Sequence, residues 1–148
     1  VMRSLREHGV YCVPDEIVAK IKEAFAAGYT DDKGAENRIK ILFNKYSYLC
    51  DTHTAVAISV YEDYAAKTGD KTPTVIVSTA SPYKFASSVY NALTKCKAPE
   101  GYEALTALSD LTSTPISTPL AGLDKRTVRF KKSIRPETMK DEILEYLK

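Results

Sequence analysis

Apolar residues recur at three- and four-residue spacing over much of this chain, and each such stretch predicts an amphipathic helix. Ile17, Val18, Ile21 and Phe25 share one helical face. That helix begins at Pro14, Asp15 and Glu16, where a proline and carboxylates suit the first turn, and Gly28 is placed to cap its end. A second helix over 35–45, with the stripe Ile39, Leu42, Phe43 and Tyr46, follows turn-forming residues at 30–34. A third covers 55–67, capped by Thr52 or Thr54, faced by Val56, Ala57, Val60, Tyr61 and Tyr64, and ended by Gly69. Ser81 and Pro82 read as the cap and first position of a fourth, with Phe85, Val89 and Leu93 along it. A short helix at 103–108 and a terminal one at 136–147, through Met139, Ile143 and Leu147, complete the helical set.

Three short runs break this period. Residues 74–78 (T-V-I-V-S) are β-branched and apolar on both faces, as in a strand covered by helices on each side. Residues 10–13 suit a strand or extended lead-in, and 127–130 alternate like an edge strand. Residues 110–119 form a Ser/Thr/Pro-rich connector without periodicity. The expected fold class is therefore α/β: helix-rich, with two to four strands flanked by helices. That is few strands for a doubly wound sheet. Because the chain opens on Val1 rather than Met, we expect it to be a truncated piece whose remaining strands lie upstream.

Composition narrows the function classes. The 148 residues carry 21 basic and 19 acidic side chains, a net charge of +2 with no basic stripe. Nucleic acid and membrane surfaces are therefore not expected partners. No apolar run approaches the roughly 20 residues that span a bilayer. Cys12, Cys50 and Cys96 are odd in number and form no C-x-x-C, which fits reduced thiols in a cytoplasmic protein and argues against structural zinc. With His8 and His53 the only histidines, and no G-x-S-x-G, no hydrolase triad is legible. Phosphate-loop and dinucleotide fingerprints, and H-E-x-x-H, are absent as well.

Two constellations carry chemistry. In S-T-A-S-P-Y-K-F (78–85), hydroxyls and a helix start converge at the end of the expected strand, the edge of an α/β sheet where ligands bind. The plainer alternative is a turn in which Ser81 caps a helix. In D-T-H-T-A-V (51–56), Asp51 and His53 sit on a helix start, where Asp51 can equally be a cap and His53 a structural residue.

These two runs resemble the threonine synthase family. The family's T-A-x-P-x-K-F is met by Thr79, Ala80, Pro82, Lys84 and Phe85, and its D-P-H-T/S-A-V by residues 51–56, with Thr52 in place of the proline. The resemblance implies a fragment of a pyridoxal-phosphate fold type II large domain. Residues 1–97 would be the C-terminal part of the cofactor-binding domain, and 98–148 a connector, short strand and terminal helix. It implies that Thr79, or Ser78 if the register slips by one, hydrogen-bonds the pyridine nitrogen of pyridoxal 5'-phosphate. Asp51 and His53 would line the active site, and Lys84 would either reach a phosphate or stay solvated. The implied reaction converts O-phospho-L-homoserine and water to L-threonine and phosphate. The Schiff-base lysine and a Gly/Asn-rich phosphate loop have no match in this chain and are expected upstream, in the remainder of a parent chain. The segment alone is thus expected to be inactive, to bind the cofactor weakly or not at all, and to self-associate through exposed strand edges. The competing reading is a non-catalytic helix-rich interaction module.

Overall fold

The computed structural model describes residues 2–129 and 131–147. It is helical, and no residue among those described lies in a strand. Seven α-helices follow in order: α1 Met2–His8, α2 Asp15–Ala24, α3 Asp32–Tyr46, α4 Thr52–Thr68, α5 Ala86–Thr94, α6 Glu103–Thr112 and α7 Met139–Tyr146. Short 3-10 turns at Pro82–Phe85, Leu123–Lys125 and Pro136–Thr138 join them.

The chain divides into two compact units, Val1–Ser117 and Thr118–Lys148. In the first, α3 packs against both α4 and α5, and α5 packs against α6. Ile39 and Leu42 of α3, Ala55 of α4, Val89 and Ala92 of α5, and Ala104 and Leu108 of α6 fill the space between them. Each of these helices has a local reason to start or stop. The Asp31 side chain caps α3 by accepting from the Gly34 N–H at 2.8 Å. Ser47 ends α3 in the left-handed region, with its N–H on the Phe43 carbonyl at 2.8 Å. Gly69, at φ 70, closes α4 on the Ala65 carbonyl. Helix α6 runs on to Thr112, four residues past the expected end at 108, because Thr112 is buried and its hydroxyl donates back to the Leu108 carbonyl at 2.7 Å. In the second unit α7 buries no residue, and Ile143 and Leu147 are exposed.

The α/β expectation is overturned. Residues 74–78 are extended but paired with nothing, and Val75 and Val77 are 87% and 70% exposed. β-Branched residues favour an extended backbone locally, whereas a strand exists only where another strand supplies hydrogen-bond partners, and no described segment does so. Residues 10–13 and 127–129 are likewise unpaired, and Phe130 lies outside the described residues. The run after α4 is ordered instead by a turn. Asp70 accepts from the Thr72 N–H at 2.9 Å, from its hydroxyl at 2.6 Å, and from the Tyr64 hydroxyl at 3.1 Å.

Helix α4 also presents the opposite face from the one expected. It buries the small residues Thr54, Ala55 and Ser59, while Val56, Ala57, Val60, Tyr61 and Tyr64 line an open groove. The groove, of about 1150 Å³, is walled by residues 26–29 on one side and 74–77 on the other. Gly28 does not cap α2, which ends at Ala24; it lets the chain approach α4, where an added Cβ would stand 2.8 Å from Val60 Cγ1.

Such an apolar, unpaired surface is expected to drive self-association as concentration rises. Sedimentation velocity over a concentration series checks this: replacing both Val75 and Val77 by Lys should restore a monomer, and a wild-type chain monomeric throughout would refute it.

Candidate functional site

Asp51 anchors the site. Its side chain is fully buried (0% exposed) at the cap of α4, where Oδ1 accepts from the His53 N–H at 2.9 Å and the Thr54 N–H at 3.3 Å. The Thr54 hydroxyl bonds the other carboxylate oxygen, Oδ2. This D-x-x-T arrangement uses one side chain to satisfy two of the free N–H groups at the helix start. Burial by itself would raise the Asp51 pKa; the bonds from the Thr54 hydroxyl and the two N–H groups outweigh it and hold the carboxyl below its ordinary value.

Two groups extend outward from this anchor. Thr54 Oγ1 lies 2.9 Å from Ser78 Oγ, so the buried cap is tied to the exposed 74–78 segment across 24 residues of sequence. His53 Nδ1 is 3.3 Å from Asp51 Oδ1, and its exposed ring leans on Phe85 with centroids 4.9 Å apart. The structure therefore gathers Asp51, His53 and Ser78 around Thr54. Thr79 follows Ser78 on the surface, and Lys84 is exposed without an ion pair among the described residues. Ser81 caps the turn that leads into α5, accepting from the Tyr83 N–H at 3.3 Å, with Pro82 in the first turn.

Two positions that hold this arrangement are not identified as such by the sequence reading. Thr54 is read only as an alternative cap, although its place three residues after Asp51 is the capping signature that could have shown the link. Tyr83 is buried, and its hydroxyl bonds the carbonyl and hydroxyl oxygens of Thr114 at 2.6 and 2.7 Å. Only its place in the folded chain sets it apart from the other nine tyrosines. Cys50, next to Asp51, is 1% exposed; burial, and then the Asp51 charge, push its thiol up to about 11. No cluster of metal-ligating side chains occurs among the described residues, and no described helix is long and apolar enough to cross a membrane.

With a capped helix start, an aspartate-held histidine and a pair of surface hydroxyls, the arrangement is that of a polar ligand site. The family model described as threonine synthase, C-terminal, matches residues 54–140, more than half of the chain, and the chain belongs to that family. It is similar to the threonine synthase of Saccharomyces cerevisiae, 32% identical over 96 residues that make up 62% of this chain and 19% of the yeast protein. The chain thus spans about a fifth of the length of that relative.

Two expectations follow from Asp51 and its neighbour. Asp51→Ala should cost about 2–4 kcal/mol, combining a lost cap of about 1 kcal/mol with a stranded hydroxyl of about 1–3 kcal/mol. Because the folded pKa of Asp51 is depressed, its contribution is complete above the ordinary 3.8 and lost as pH falls through the lower folded value. Urea titrations at a series of acidic pH values should show that limb in the wild type and its loss in Asp51→Asn. Separately, a thiol reagent near neutral pH should label exposed Cys12 and Cys96 and spare Cys50 until the chain unfolds. Rapid native labelling of all three would contradict the burial.

Proposed function

We propose that this chain is the C-terminal part of a threonine synthase that converts O-phospho-L-homoserine and water to L-threonine and phosphate. The observation that supports the reading best is the Thr54–Ser78 hydrogen bond, which joins the two sequence runs that resemble the family. Pyridoxal 5'-phosphate would supply an electron sink when bound. The residues present fit its pyridine ring: Ser78 and Thr79 are adjacent exposed hydroxyls, a chemistry that a ring nitrogen accepts. They do not cradle its phosphate, since the six glycines are dispersed and no glycine-rich run follows a helix start.

Within this reading Thr79 donates to the ring nitrogen. His53, held by Asp51 through Nδ1, turns Nε2 away from that carboxylate and can hold a proton near the substrate. Phe85 fixes the plane of the imidazole. Lys84 remains a solvated cation within reach of an anionic substrate. Residues 1–97 carry these groups, and the Schiff-base lysine and phosphate cradle belong to other parts of a longer chain. The 148 residues alone would be inactive.

A second reading, a non-catalytic interaction module, draws on the apolar groove along α4. One comparison separates them. In a longer chain that carries this segment, Thr79→Val should shift the cofactor absorbance and lower phosphate release from O-phospho-L-homoserine by at least about tenfold, the worth of one hydrogen bond to a charged or polarised group. An unchanged spectrum and rate would favour the module, and sustained turnover by the 148-residue chain alone would refute its inactivity.

A further inference from the structure

Ser78 and Thr79 are neighbours with the same functional group, yet their surroundings assign them opposite hydrogen-bonding roles. A hydroxyl carries one proton. The Thr54 hydroxyl stands between the Asp51 carboxylate, which can only accept, and the Ser78 hydroxyl, which can do either. A bond to an ionised acceptor is roughly twice as strong as one between neutral groups, so the Thr54 proton goes to Asp51. The 2.9 Å contact between Thr54 and Ser78 is then made by the Ser78 proton, which points inward. Thr79 has no such partner among the described residues.

We propose that the Asp51–Thr54 pair commits the Ser78 proton to the protein. Ser78 therefore meets a ligand as an acceptor, selecting a group that carries its own proton, and Thr79 is the member of the pair free to donate. This deepens the reading of Ser78 and Thr79 as cofactor contacts and rests on it where the ligand is concerned. It separates two residues that a one-position register slip would make interchangeable. A pyridine nitrogen with a free lone pair is served by Thr79 and refused by Ser78; an ammonium, a hydroxyl or a protonated ring nitrogen is served by Ser78. Ser78 is a positioning residue in this scheme, and Asp51 sets its polarity through Thr54.

The direction of the proton chain has a signed consequence that needs no ligand. If Ser78 donates to Thr54, it strengthens the bond that Thr54 gives Asp51, and Ser78→Ala should raise the midpoint of the Asp51 carboxyl. If Ser78 accepts instead, it competes with Asp51 for the Thr54 proton, and Ser78→Ala should lower that midpoint. The experiment is a 13C NMR titration of the Asp51 side-chain carboxyl in the wild type, Ser78→Ala and Thr54→Ser. Ser78 lies on an exposed segment outside the core, and Thr54→Ser keeps the hydroxyl, so each variant leaves the packing in place. His53 is the titrating group that faces Asp51, and it is present in all three; Cys50, pushed up to about 11, stays neutral throughout.

An upward shift in Ser78→Ala with little change in Thr54→Ser is expected, and a downward shift or none would overturn the proposal. The ligand half is read in a longer chain that carries this segment, with pyridoxal 5'-phosphate as probe. Thr79→Val should move the cofactor absorbance and Ser78→Ala should leave it in place. The opposite pattern overturns the assignment. If neither variant moves the band, the cofactor reading fails while the NMR result still decides the direction of the proton chain.

Discussion

A carboxylate with no exposure to water is tolerated only where donors surround it, and in this chain that condition organises the site. Asp51 has three donors: the N–H groups of His53 and Thr54 and the Thr54 hydroxyl. All lie in the first turn of α4, so the charge can be buried only if the helix begins where it does. The starting point of α4 in turn sets which residues face α3. Thr54, Ala55 and Ser59 are small enough for the two helices to approach, and Arg38 of α3 closes the far side, with Nε 3.4 Å from Ser59 Oγ and an ion pair to Glu62. From one buried charge follow the register of a helix, the closeness of a helix pair and the position of the Ser78 tether.

Turning small residues inward sends larger ones outward. Val56, Val60, Tyr61 and Tyr64 lie toward the groove because α4 has apolar or small residues on both sides, and the side that fits against α3 is the slim one. Gly28 belongs to the same arrangement, since its missing side chain lets residues 26–29 come against Val60. The outcome is a helix with two working faces: one in the core, the other an apolar surface ending at His53.

The helices were legible because their causes are local. Asp31, Asp51, Ser81 and Gly69 punctuate the sequence and do so in the structure. Asp51 and His53 were legible as a helix start beside a candidate ligand site for the same reason. The sheet was misread because T-V-I-V-S records only half of what makes a strand. Local preference for extension is written in residues 74–78, and the hydrogen-bond partners that turn extension into a sheet must come from elsewhere. Which face of α4 is buried was misread for a related reason. A stripe of valine and tyrosine is the more hydrophobic face, but close packing against α3 selects by shape, and alanine and serine win where two backbones approach. Tyr83 and Thr114 meet across 31 residues, a pairing that no spacing rule reaches.

The same unpaired segment bears on how well this chain could hold a ligand by itself. Ser78 and Thr79 sit on an extended run whose flanking valines are in water, and the tether that fixes them is the single contact from Ser78 to Thr54. Positioning that supports chemistry demands reacting atoms held to within about half an ångström, by side chains locked through packing as well as hydrogen bonds. One net hydrogen bond contributes about 1 kcal/mol, comparable with the entropy of fixing a single residue. The hydroxyl pair is therefore aimed by Asp51 but not clamped. Asp51 and Thr54 define the direction in which protons point, and rigidity must come from whatever covers the apolar groove beside them.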